Sequence, residues 1–134
     1  MKLSTRSRYA LRLMLDIARN GSVGTFVSLK DISDRQEISL KYLEQIVMTL
    51  TRTGLLVSSR GPKGGYALSR TVGEYTAGEV IRAIEGDLAP VACLDCTPNR
   101  CARSAFCETL KLWSGLRTTI NEYLDNVTLA DLMS

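Results

Sequence analysis

Apolar residues recur at helical spacing in one stretch after another along this chain. Ala10, Leu13, Met14 and Ile17 stand at i, i+3, i+4 and i+7, the spacing of one buried helix face. Ser4 or Thr5 supplies a cap and Gly21 a stop, which predicts a helix ending near Asn20. Ser28 caps a second, shorter helix from Leu29 to about Gln36, with Leu29 and Ile32 inward. After a tight Glu37-Ile38 connection, Ser39 caps a third, Leu40 to about Arg52, and Gly54 stops it. Its buried stripe is Leu43, Ile46, Val47 and Leu50. The period then changes. Two β-prone segments, 55–59 and 66–69, flank Arg60-Gly61-Pro62-Lys63-Gly64-Gly65, which predicts a hairpin with a glycine-rich tip. Thr76 caps a helix from Ala77 to Glu85, with Val80, Ile81 and Ile84 inward and Gly86 at its end. A long helix is expected from about Ser104 to Asn126. Along it Trp113, Leu116, Ile120, Tyr123 and Val127 alternate by three and four, a coiled-coil-like seam flanked by Leu110, Leu112 and Leu124. Thr128 caps a last short turn, Leu129 to Met133.

Two short helices joined by a brief turn, with a hairpin directly behind the second, are the elements of a winged helix-turn-helix. The expected fold is therefore mainly α, with a two-stranded β wing and a long C-terminal helix. That helix carries more apolar surface than the front half can cover, so its expected partner is a second copy, giving a two-fold homodimer. Three segments follow: residues 1–87 as the DNA-binding domain, 88–103 as a cysteine-rich loop, and 104–134 as a dimerisation helix, carrying the last cysteine, with its closing turn.

Charge separates the front from the back. Residues 1–70 hold twelve Lys/Arg against five Asp/Glu, whereas residues 71–134 hold five against nine. A basic front half suits a polyanion. Lys2, Arg6 and Arg8 cluster at the start, where they can meet phosphates; the other arginines of the first helix are solvated. On the third helix Lys41, Tyr42, Glu44, Gln45 and Arg52 lie off the buried stripe. Lys, Glu and Gln are side chains that read base edges in the major groove. Ser28 and Ser39 sit at helix amino termini, where backbone amides meet phosphate. In the wing, Arg60 suits a narrow minor groove, while Gly61 and Lys63 suit the backbone. The tip is not a nucleotide phosphate loop, because no G-x-x-x-x-G-K-[ST] leads into a helix.

The chain has no histidine, which removes Ser-His and Cys-His catalysis. No enzyme is expected. No apolar run approaches the ~20 residues needed to cross a bilayer. The start, MKLSTRSRYALRL, lacks the apolar core of a signal peptide. The expected location is cytoplasmic, with no membrane partner.

All four cysteines, Cys93, Cys96, Cys101 and Cys107, fall within fifteen residues as C-x2-C-x4-C-x5-C. A metal or iron–sulfur cluster needs several thiolates converging on one point, and a folded-back loop can supply them. In a compartment where thiols stay reduced, ligation is favoured over disulfides. A structural zinc site remains the minor alternative, and a reversible Cys93–Cys96 disulfide a metal-free one. A thiol-disulfide active site at Cys93-x-x-Cys96 is disfavoured, since no βαβ pattern surrounds it.

MKLSTRSRYALRLMLDIA, SLKYLEQIVMTLTRTGLLVSSRGPKGGYAL, TAGEVIRAIEG and NVTLADL resemble, over nearly the whole chain, a family of winged-helix repressors. That family includes the iron–sulfur assembly regulator IscR, the nitric-oxide sensor NsrR and the cysteine-metabolism repressor CymR. The resemblance implies a dimer paired through the long helix, binding palindromic or AT-rich promoter DNA. It implies that Lys41, Tyr42, Glu44 and Gln45 face bases and that Arg60 enters the minor groove. Cluster-binding members use three cysteines before the dimer helix plus a variable fourth ligand. Cys107, six residues before Trp113, matches the last of these, and Cys101 the middle one. Two departures follow. The assembly regulator's ligand histidine corresponds to Leu110 here, and the stretch before Cys101 is two residues longer, with an additional cysteine. Cys93 and Cys96 therefore compete for the first position or both bind. Four thiolates suit 2Fe–2S and 4Fe–4S alike, with 2Fe–2S placed first. Members without the cysteines act through a regulatory protein partner.

The expected function is a dimeric transcription regulator, a repressor, whose promoter affinity is set by an iron–sulfur cluster. The alternative is a repressor of the same fold governed by thiol redox or by a partner protein.

Overall fold

The computed structural model describes residues 2–95 and 98–134. The expectations that fall on Cys96 lie outside the described residues.

Helix α1 spans Thr5–Asn20, α2 Leu29–Gln36 and α3 Leu40–Arg52. Each opens on the serine its sequence offers. Ser4, Ser28 and Ser39 accept hydrogen bonds from the amides of Ser7, Asp31 and Tyr42, satisfying donors that a helix start otherwise leaves orphaned. The predicted stripes are the core: Ala10, Leu13, Met14, Ile17, Ile32, Leu43, Ile46 and Leu50 are fully buried in one cluster. Between α2 and α3, Glu37 takes a left-handed conformation at φ 55°. That sharp reversal lets α3 leave α2 at an angle within a three-residue connection, Glu37 to Ser39.

Strand β1 (Leu56–Ser59) pairs antiparallel with β2 (Gly65–Leu68), Leu56 opposite Leu68 and Ser59 opposite Gly65. A third stretch joins them through one bridge. Val27 and Tyr66 exchange both backbone bonds, at 2.8 and 2.9 Å. Gly65 is required there, because a Cβ would stand 2.1 Å from the Val27 carbonyl oxygen. The start of α2 is thus fixed beside the wing.

Helix α4 spans Ala77–Glu85, α5 Leu110–Asp125 and α6 Leu129–Met133, with single 3-10 turns at Val72–Glu74 and Ala92–Leu94. Tyr75, fully buried, holds the wing base to this half. Its hydroxyl donates to the Leu55 carbonyl (2.8 Å) and accepts from the amides of Ser69 (2.8 Å) and Arg70 (3.1 Å).

The long helix begins at Leu110, not near Ser104, so Cys107 precedes it instead of lying on it. Residues 101–107 form successive tight turns, Ser104 N–H to Cys101 O and Phe106 N–H to Arg103 O. Phe106 is 65% exposed, so this stretch buries little apolar surface to reward helix formation. Thr109, at the cap position, makes no side-chain cap. Further on, α5 lies against α4 through polar contacts. Arg82 donates to Asn121 Oδ1 (2.9 Å) and pairs with Asp125, and Arg117 pairs with Asp87. No residue of α5 is fully buried; Leu116 and Tyr123 of its apolar seam and the flanking Leu112 are exposed, while Trp113, Ile120 and, just past the helix end, Val127 are half-buried. The chain end returns to the front core. Thr76 bridges Thr128, the Ala77 amide donates to Val127 O (2.7 Å), and Leu129 is fully buried. Among the described residues no helix is long and apolar enough to cross a membrane.

Candidate nucleic-acid interface and cysteine segment

The buried stripe of α3 dictates what its other face presents. At 3.6 residues per turn, Lys41, Glu44, Gln45, Met48 and Arg52 share an arc of about 100° opposite Leu43, Ile46 and Leu50. All five are exposed. Ser39 is exposed at the amino end of this face, where the helix dipole adds to its amides. Tyr42 stands apart. It is half-buried, its ring edge-on to that of Tyr9 at 5.5 Å and 77°, so its aromatic body ties α3 to α1.

The wing tip carries Arg60, Gly61 and Lys63, all exposed. Gly61 adopts φ 102°, which closes the turn through Gly64 N–H to Gly61 O at 2.9 Å. Ser28, beside the wing through the Val27–Tyr66 bridge, uses its hydroxyl as the α2 cap. Lys2 and Arg6 are exposed at the start of α1. That start is fixed by Glu85, whose Oε1 accepts from the Ser4 amide (3.0 Å), the Ser4 hydroxyl and the Ser7 hydroxyl (2.6 Å). The Ser4 and Ser7 hydroxyls, aided by Arg6, hold the Glu85 carboxyl below the usual range against its partial burial.

Three polar anchors of this scaffold carry no periodic signal. Asp16, only 3% exposed, accepts a fork from Arg35 (2.7–3.2 Å) and a bond from Gln36 (2.9 Å), tying α1 to α2. Burial raises its pKa, but the bonds from Arg35, Gln36 and Asn20 outweigh that and hold it low. Glu85 and the Tyr75 hydroxyl are the other two. An acidic residue inside an apolar helix stripe is the one cue the sequence offers, and only for Asp16.

Among the described cysteines, Cys93 and Cys107 are half-buried, Cys101 is exposed, and all three thiols are free. Cys93 lies in the Ala92–Leu94 turn. Its neighbour Leu94 is buried and lines a cleft of about 400 Å³ with Ser114, Arg117, Asn121 and Asp125 of α5. Cys107 sits three residues before α5. Its thiol is made more acidic by the Thr109 side chain (3.3 Å), then by the Thr109 and Leu110 amides and Arg103. Among the described residues no three potential ligands are gathered into a metal-holding group. In chemistry, the free thiols form a soft donor set that suits an iron–sulfur cluster or zinc.

A helix-turn-helix with an exposed polar arc, followed by a cationic wing, defines a winged-helix DNA-binding regulator. The particular family follows from comparison. Residues 3–134 match the Rrf2 family, described as an iron-dependent transcriptional regulator, and the chain belongs to it. It is similar to protein rrf2 of Nitratidesulfovibrio vulgaris, 44% identical over 133 residues, covering 99% of this chain and 87% of that one. It is also similar to the HTH-type transcriptional regulator IscR of Cronobacter sakazakii, 40% identical over 134 residues, covering 100% and 81%. The solved structure of CymR, the global cysteine regulator of B. subtilis, superposes with a TM-score of 0.79 at 36% identity, covering 98% of this chain and 95% of that one.

Proposed function

We propose that this chain is a homodimeric transcription repressor whose promoter affinity is controlled by an iron–sulfur cluster bound in the segment 88–109. The observation that carries this reading is the joint presence of an exposed polar arc on α3 and free thiols in the segment leading into α5. In this reading Lys41, Glu44 and Gln45 face base edges, Tyr42 orients α3, and Arg60 enters the minor groove. Lys2, Ser28, Ser39, Arg52, Gly61 and Lys63 meet the phosphate backbone. Two copies pair through Trp113, Leu116, Ile120, Tyr123 and Val127, which would cover the exposed seam of α5.

Cys93, Cys96, Cys101 and Cys107 would hold the cluster, 2Fe–2S ahead of 4Fe–4S. Such a cluster supplies a centre sensitive to iron supply and oxidants. The rest is done by protein side chains. Leu94 carries a displacement at Cys93 into the α5 cleft, and the ion pairs Arg82–Asp125 and Arg117–Asp87 relay it to the DNA-binding half. These pairs are partly exposed, so re-forming them elsewhere costs little. Two recognition helices must sit roughly 34 Å apart to reach successive major grooves. A coupling of about 1–3 kcal/mol between the sites changes affinity roughly 5- to 150-fold.

The test is purification without oxygen. Brown protein with visible absorption, iron and sulfide, whose promoter affinity changes on cluster removal, supports the reading. Colourless protein with stoichiometric zinc overturns it. A thiol-redox or partner-controlled repressor is the second reading, favoured by the likeness to CymR. Colourless, metal-free protein whose DNA binding responds to an oxidant or to an added protein would select it.

A further inference from the structure

Met48 is 69% exposed and lies near the middle of the polar arc of α3. Four of the five side chains on that arc are charged or amide-bearing. A large apolar group among them is unaccounted for by the core, since it points away from Leu43, Ile46 and Leu50. We propose that Met48 is a sequence-reading residue that contacts the 5-methyl group of thymine in the major groove, which rests on α3 being the recognition helix.

The geometry supports the assignment in three ways. Met48 lies about one turn, ~4.5 Å, further along α3 than Gln45 on the same exposed arc, so the two side chains project into the same groove. It is flanked along the same stripe by Lys41 and Arg52, so a polyanion drawn to these cations buries Met48 in its approach. On its wing side it borders a cleft of about 440 Å³ lined by Thr51, Arg52, Ser58 and Tyr66, which leaves the side chain room to move. The chemistry narrows the target. Of the groups on the major-groove edge, the thymine methyl is the apolar one, and an unbranched thioether with three rotatable bonds can settle against it. Met48 would thus add a thymine preference beside whatever Glu44 and Gln45 select.

The test uses the full chain, purified without oxygen. Duplexes are first selected by the protein from a random-sequence pool. Each thymine of the selected site is then replaced singly by deoxyuridine, which deletes only the methyl group. At one thymine per half-site the wild type is expected to bind about fourfold more weakly, the worth of one buried carbon. Met48→Ala and Met48→Gln are expected to lose that sensitivity while keeping their fold, because the side chain is exposed. Equal responses of wild type and variants to every replacement would overturn the assignment while leaving DNA reading intact. Failure of the wild type to enrich any sequence would instead overturn the DNA-binding reading itself.

Discussion

Glu85, the last residue of α4, closes onto Ser4, the cap of α1, eighty-one positions earlier in the chain. One carboxylate oxygen there accepts from an amide and from the Ser4 and Ser7 hydroxyls. A negative charge is thus set at a helix start, where the macrodipole favours it. The contact fixes the segment that carries Lys2 and Arg6.

The sign of its pH dependence follows from the lowered pKa of Glu85. Its contribution is fully present above the unfolded value near 4.5 and is lost as pH falls through the lower folded value. Glu85→Ala should cost about 1–2 kcal/mol at neutral pH. Urea titrations at pH 7 and below pH 4.5 should show the gap between variant and wild type narrowing in acid. A constant gap would contradict this account.

Asp16 and Arg35 should respond asymmetrically to truncation. Arg35→Ala strands a buried carboxylate and should cost about 3 kcal/mol. Asp16→Ala leaves a guanidinium that is already 39% exposed and can hydrate, so its loss should be smaller, about 2 kcal/mol. Chemical denaturation of the two variants checks the order; the reverse order would mean that packing, not charge, governs the site.

Glu37 holds φ 55° without the freedom of glycine. Glu37→Gly should therefore stabilise the protein by about 0.5–1 kcal/mol. Thermal unfolding reads this directly, and a lower midpoint would show that the glutamate side chain contributes something the backbone argument omits.

Arg60→Ala should weaken promoter binding and flatten its AT preference without changing stability, since the residue is exposed at the wing tip. The slope of log affinity against log salt should fall by about one phosphate's worth. Binding by Arg60→Ala indistinguishable from wild type would move the wing away from DNA.

The helices were legible wherever a Ser or Thr cap preceded an apolar stripe. Ser4, Ser28, Ser39, Thr76 and Thr128 all cap as their positions suggest. Where no cap forms, at Thr109, the helix starts six residues later than the expected Ser104. The partners of Asp16, Glu85 and Tyr75 were not legible, because each anchor reaches a residue 19 or more positions away and no periodicity encodes such a partner. Met48 carries no signal in the periodicity, because an apolar residue off the buried stripe gains meaning only from the exposed arc it shares with Lys41, Glu44, Gln45 and Arg52.

The Thr76–Thr128 bridge and the burial of Leu129 pin both ends of the stretch between them to one core. The cysteine segment is therefore an excursion from a closed ring of chain, not a tail. Lengthening such an excursion costs only the logarithm of its size, about 0.6 kcal/mol for each doubling. A segment of a few residues more or fewer before Cys101 thus lies within what the fold tolerates, and the spacing of the cysteines can drift here while the core that anchors both ends stays as it is.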